Sequence, residues 1–204
     1  MNKLITFEGI DGCGKTTQIN KMAEFLDKRG CDYIVLREPG NTNISEKIRA
    51  ILLDAKNEIN NISETLLFLS ARSQLISEHI EKSIDLDKFI LCDRYIDSTL
   101  AYQGYGRGIN LDMLLELNKF ATKNILPDLT FIFDINLDIS MKRISSNKDR
   151  MESSGKDFLN KVRNGYREIS KTDSRYHLVN SGINSINDIH EELINKMIQI
   201  YWRD

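Results

Sequence analysis

The chain has 204 residues, 41% of them hydrophobic and 28% charged, which is a soluble globular balance with enough chain for one sizeable α/β core. Its 28 Lys and Arg against 30 Asp and Glu leave a formal charge of −2, so no overall basic field draws it to nucleic acid. No apolar run approaches membrane-spanning length, no basic-then-apolar leader opens the chain, and Cys13, Cys31 and Cys92 lack C-x-x-C spacing, so a cytoplasmic protein with reduced thiols and no membrane partner is expected.

The stretch KLITFE (3–8) reads as a buried strand that breaks at once into glycines. Gly9, Gly14, Lys15 and Thr16 fit G-x-x-x-x-G-K-[ST], the phosphate-binding loop. Glycines let successive N–H groups turn toward phosphate oxygens, and the helix that follows aims its positive end at the same anion. The expected ATP site is therefore the loop through Gly9, Ile10, Asp11, Gly12, Cys13 and Gly14, with Lys15, Thr16 and Thr17 opening the helix. Lys15 is expected at the β- and γ-phosphates, and the Thr16 hydroxyl on Mg²⁺.

Gly30 stops that helix, and DYIVLRE (32–38) is the second strand. After the loop PGNTN come a helix near 45–54 and a longer one capped by Ser63 and running to about 81. FILCD (89–93) and LTFIFD (129–134) are short and almost wholly apolar, as strands covered on both faces are, and a helix at about 111–122 separates them. The segment 145–157, SSNKDRMESSGKD, is polar and lacks apolar periodicity. YHLVN is the last strand, and Ser185 with Asp188 resembles a capping box before the final helix. This alternation predicts an α/β fold, a P-loop three-layer α/β/α sandwich around a mostly parallel, five-stranded sheet, organised as one domain over 1–204. His79, His177 and His190 are too scattered to suggest a zinc site.

Ligands of such a sheet bind at the carboxyl ends of its strands, where Arg37, Glu38, Asp93, Arg94 and Asp134 fall. Asp93 reads as a second support for Mg²⁺ or as a turn cap, and Arg94 as a second phosphate site or a surface ion pair. Two phosphate sites suggest a kinase.

The segments FEGIDGCGKTTQ, REPGNT, LLFLSARSQ, DRYIDSTLAYQG and DRMESSGKDFLNKVRNGY, in this order, resemble the thymidylate kinase family, which phosphorylates dTMP to dTDP with ATP. The resemblance implies Mg²⁺ as cofactor and a homodimer packed through helices. It places Phe68 on the thymine ring, with Arg72 on its carbonyl edge and Thr99 and Gln103 against the base. Tyr102 falls beside the sugar, where it crowds a 2′-hydroxyl. Arg94 is matched to the dTMP phosphate, Asp11 to the 3′-hydroxyl and acceptor phosphate, and Pro39 to the pocket floor; Glu8 and Ser98 belong to the same acceptor site. Gly12 and Cys13 carry no charge, so the resemblance implies that a lid at about 145–157 supplies it through Arg150, with Arg143 as a second candidate on the ATP side. Asn41 stands where the family has glycine, and asparagine is the least costly replacement if that position needs positive φ. The alternatives are another nucleoside or nucleotide kinase of this fold, or a P-loop GTPase switch. The switch expects N-K-x-D, and the nearest string, Asn147-Lys148-Asp149-Arg150, lacks the final acid.

Overall fold

The computed structural model of the chain describes residues 1–144 and 150–202. Residues 145–149 of the expected lid, including 147–149 of the string compared with N-K-x-D, lie outside the described residues, as do 203–204.

Strands β1 (Leu4–Glu8), β2 (Tyr33–Arg37), β3 (Phe89–Asp93), β4 (Leu129–Asp134) and β5 (Tyr176–Asn180) form one sheet in the order β2-β3-β1-β4-β5. Every neighbouring pair is parallel, so the mostly parallel sheet expected from the sequence is wholly parallel. The most continuously apolar strands occupy the middle: every residue of β1 is buried, whereas β2 and β5 are half-exposed at the edges. The alternation of side chains then splits the core. Ile5, Phe7, Leu91 and Phe131 pack in one cluster with Ile19, Met22 and Leu26 of α1 (Lys15–Lys28) and Leu193 and Met197 of α9 (Ile186–Tyr201). Leu4, Ile90 and Cys92 instead meet Leu75 of α3 (Asn61–Leu75), with Ile76 and Ile80 beyond it.

The helices between are α2 (Asn43–Leu53), α4 (Glu81–Asp85), α5 (Ile96–Thr99), α6 (Leu111–Thr122), α7 (Leu137–Arg143) and α8 (Lys156–Ile169). The cap of α3 is Asn60, whose side chain accepts from the Ile62 and Ser63 amides at 3.1 and 2.9 Å. Ser63 is therefore inside the helix rather than its cap, because an asparagine three residues upstream reaches the orphan amides first. The single helix expected to run to 81 passes through a π turn at Ile76–Ile80 before α4. Residues 96–106, to which the sequence reading assigned no element, form α5 and a second π turn at Leu100–Gly106. The π turn has no 3.6-residue signature to read, and such turns are frequent at functional sites. The Ser185–Asp188 capping box is present, and Asn41 has φ 64°, in the left-handed region its substitution for glycine anticipated.

No helix among the described residues is long and apolar enough to cross a membrane. Cys13, Cys31 and Cys92 are free thiols. Among the described residues no group of three or more His, Cys, Asp or Glu side chains gathers as a metal cage.

Candidate active site

The register aligns Phe7, Arg37 and Asp93 at one level, so the residues just beyond them share one edge of the sheet. There β1 enters the glycine loop. Gly9 has φ 137°, and a Cβ on it would lie 2.6 Å from the Phe133 carbonyl oxygen; at Gly12, φ 72°, a Cβ would lie 2.7 Å from that of Ser140. No side chain fits at either position without moving backbone, which is why the loop is written in glycine. Lys15 is buried over the loop, its Nζ donating to the Gly9 and Ile10 carbonyls at 3.1 and 3.3 Å and lying 4.0 Å from Asp11. Thr16, Thr17, Asp93 and Arg143 line the same open cleft, and Arg143 Nη1 donates to the Gly12 carbonyl at 3.4 Å.

The two expected Mg²⁺ residues come together: the Thr16 hydroxyl donates to Asp93 Oδ2 at 3.4 Å. Glu38 lines this cleft as well, and its buried Oε1 has no hydrogen-bond partner among the described residues. An all-oxygen donor set beside a phosphate loop fits a hard dication that keeps most of its shell for water and phosphate.

Arg94 leaves β3 with φ 70°, a strained conformation for a side-chain-bearing residue. Its guanidinium donates to the Gly9 carbonyl at 2.8 Å and to Asp11 Oδ1 at 2.6 Å, and lies 5.2 Å over the Tyr102 ring. Burial pushes the Asp11 carboxyl up, but Arg94 and Lys15 outweigh it and hold the group below its ordinary range. Asp11 is thus an ionised acceptor between two cations.

Beneath Arg94 lies Glu8, fully buried, accepting from the Tyr95 amide at 2.7 Å, the Ser98 hydroxyl at 2.6 Å and the Tyr166 hydroxyl at 2.9 Å. Ser98 and Tyr166 in turn receive N–H bonds from Arg94 at 3.4 and 3.2 Å, so Glu8 orients Arg94 through them. Burial, then the charge of Asp97, raise the Glu8 carboxyl to about 7. The unfolded chain releases this proton near pH 4.5 and the folded chain keeps it to about 7, so the group's contribution to stability falls as pH rises across that window. Glu8→Gln removes the titration. Its free energy of unfolding relative to wild type is expected to rise from about pH 5 to about pH 8, with a span of order 3 kcal/mol. A pH-independent difference between the two proteins counts against this.

Beside the loop, Pro39, Phe68, Arg72, Arg94, Ser98, Thr99, Tyr102 and Gln103 line a second cavity. Every residue the sequence reading gave to the acceptor pocket faces it except Glu8, which lies behind Arg94. Asp11, Glu38, Arg49 and Arg94 line both this cavity and the phosphate-loop cleft, so the two spaces share a wall. Arg72 is buried with its donors turned to protein: Nε to Glu38 at 2.7 Å, Nη1 to Thr99 and Asn118 at 2.7 and 2.6 Å, and Nη2 to the Tyr95 carbonyl at 2.8 Å. It forms the cavity wall as the hub of a network.

Arg150 is not brought to the phosphate loop. Its Nε donates to the Leu52 carbonyl at 2.7 Å and its Nη1 to Glu64 Oε2 at 2.6 Å. Of the two arginines expected from the lid side, Arg143 is the one that reaches the loop, at the Gly12 carbonyl. Sequence reasoning missed Arg49, Leu53, Met151 and Glu64. Arg49 had a readable signal, since it stands at helical spacing from the buried Ser45 and Leu52 on one face of α2.

The parallel sheet, glycine loop and buried lysine define the P-loop class. A family model described as thymidylate kinase matches residues 7–193. The thymidylate kinase of Chlorobium phaeobacteroides is 43% identical over 205 residues, covering 95% of this chain and 94% of its own. That of Thermosipho africanus is 45% identical over 190 residues, covering 93% and 94%. The crystal structure of thymidylate kinase from Ehrlichia chaffeensis aligns with a TM-score of 0.79 at 34% identity, over 95% of this chain and 97% of that one. The chain belongs to the thymidylate kinase family.

Proposed function

We propose that this protein transfers the γ-phosphoryl group of ATP to dTMP, giving ADP and dTDP. The observation that carries the reading is the shared wall: Asp11, Glu38, Arg49 and Arg94 face both the phosphate-loop cleft and the acceptor cavity. ATP in the first and a nucleoside monophosphate in the second bring donor and acceptor phosphates to that wall. A dTMP phosphate oxygen attacks the γ-phosphorus as its bond to the β–γ bridging oxygen breaks. Phosphoryl transfer asks little covalent chemistry of the protein beyond alignment and neutralisation of spreading charge. Lys15 and Arg143 act on the donor, Arg94 and Arg49 on the acceptor phosphate, and Asp11 on the 3′-hydroxyl side. Thr16 and Asp93 would hold Mg²⁺, which supplies charge neutralisation at the β- and γ-oxygens when bound. Phe68, Thr99 and Gln103 receive the thymine, while Arg72 stiffens their wall.

Initial rates of ADP release across dTMP, AMP, GMP, CMP and UMP test the assignment, with dTMP expected to turn over fastest; faster turnover of any of the others rejects it. Tyr102, packed edge-on against Phe158 and Tyr166, is the proposed wall against a ribose. Tyr102→Phe should keep the deoxy preference, whereas Tyr102→Ala should relax it by about tenfold, since the site then loses only steric exclusion. An unaltered preference in Tyr102→Ala removes this role.

The match over residues 7–193 supports reading the chain as one kinase domain. The free thiols support a cytoplasmic location. A homodimer is supported by exposed apolar residues on two adjoining helices, Ile62 and Leu66 on α3 and Met113 and Phe120 on α6, which sedimentation would test.

A further inference from the structure

Glu64 has no part in the mechanism above, yet its carboxylate accepts four side-chain hydrogen bonds beside the acceptor cavity. It is fully buried on α3, one turn before Phe68 and two before Arg72. Its Oε1 accepts from Gln103 Nε2 at 2.9 Å and Arg107 Nε at 3.2 Å, and its Oε2 from Arg107 Nη2 at 3.1 Å and Arg150 Nη1 at 2.6 Å. Arg150 is fastened twice more to α2, through Nε to the Leu52 carbonyl and through its own amide to the Leu53 carbonyl at 3.2 Å. The next residue, Met151, lines the acceptor cavity together with Gln103 and Leu53.

We propose that Glu64 is the positioning residue of the acceptor cavity, its carboxylate tying Gln103 on one wall to Arg150 and hence Met151 on another. The proposal rests on the dTMP kinase reading. A buried carboxylate with two guanidinium partners and an amide is a rigid node, because each charge-assisted bond shares an acceptor that has nowhere else to turn. Burial pushes the Glu64 carboxyl up, but the bonds from Arg107, Gln103 and Arg150 outweigh it and keep it ionised. Arg150 therefore serves the cavity that receives the monophosphate, not the transferring phosphate, and its loss should be felt as weaker acceptor binding.

Initial rates against dTMP and against ATP, in wild type, Glu64→Gln, Arg150→Met and the double variant, test this. The KM for dTMP should rise about tenfold in each single variant, the loss of one charge-assisted bond. The kcat and the KM for ATP should stay within about threefold of wild type, a split that general loosening of the fold does not produce. The double variant should be no worse than the worse single, since both changes break one link. An unchanged KM for dTMP, a fall in kcat with rises in both KM values, or single effects that multiply would overturn the proposal. Should Glu64→Gln fail to fold, Arg150→Met decides alone: either its KM for dTMP rises with that for ATP unmoved, or the proposal is lost. A wild type that prefers another monophosphate rejects the dTMP reading, and the same KM comparison on that acceptor then decides the role of Glu64.

Discussion

Replacing Lys15 by alanine is expected to lower kcat by at least about 10³-fold, the largest effect of any single substitution in this chain. Lys15 is the cation that the loop's own helix places over it, held by the Gly9 and Ile10 carbonyls and 4.0 Å from Asp11. Charge spreads over three oxygens of the transferring phosphoryl group in the transition state. A preorganised cation there needs no reorganisation at the moment of reaction. The fold should survive, because Lys15 itself lines the open cleft and no apolar contact of the core depends on its ammonium. Equal melting temperatures with turnover reduced at saturating ATP and dTMP are the expected pair of results. Turnover within tenfold of wild type would remove Lys15 from the transfer.

Arg94→Ala is expected to cut kcat/KM for dTMP by about 10³-fold, with a smaller change in ATP binding. The guanidinium does two things at once in the structure. It faces the acceptor cavity, and it ties the loop at Gly9 and Asp11 to Ser98 and Tyr166. Its loss removes a planar charge from the wall of the acceptor cavity and leaves Lys15 and Arg49 to oppose the rise that burial imposes on the Asp11 carboxyl. Arg94→Lys should recover little, since a point charge on a flexible stem cannot hold two carbonyl-and-carboxylate partners in one plane. The check is acceptor kinetics beside equilibrium binding of an ATP analogue. Wild-type kcat/KM in Arg94→Lys would show that only charge matters at this position.

Much of this molecule was legible along the chain because the relevant physics is local. The curl of a phosphate loop is set by glycine φ values within six residues, and Gly9 and Gly12 bear it out with positive φ and no room for a Cβ. Buried strands are apolar runs, so β1, β3 and β4 could be read before the sheet was seen, and parallel strands bring their carboxyl ends to one edge whatever their order. Asn41 could be read as the least costly stand-in for glycine should the REPG turn need positive φ, and its φ is 64°.

The pairing of side chains across long separations was not legible. Arg150 matched a lid arginine by its neighbours in sequence, but its partner is Glu64, 86 residues away, and nothing in either neighbourhood encodes that distance. Arg72 looked free to bond a base edge, yet Glu38, Thr99, Asn118 and Tyr95 converge on it from four elements or loops. The π turn carrying Tyr102 and Gln103 has no periodic trace, because its geometry comes from packing on α8 and not from propensity. Local sequence therefore determined the glycine loop and which elements form. Which arginines are held away from the loop depended on buried carboxylates, since a desolvated Glu64 or Glu38 takes whichever cation the packed helices bring to it.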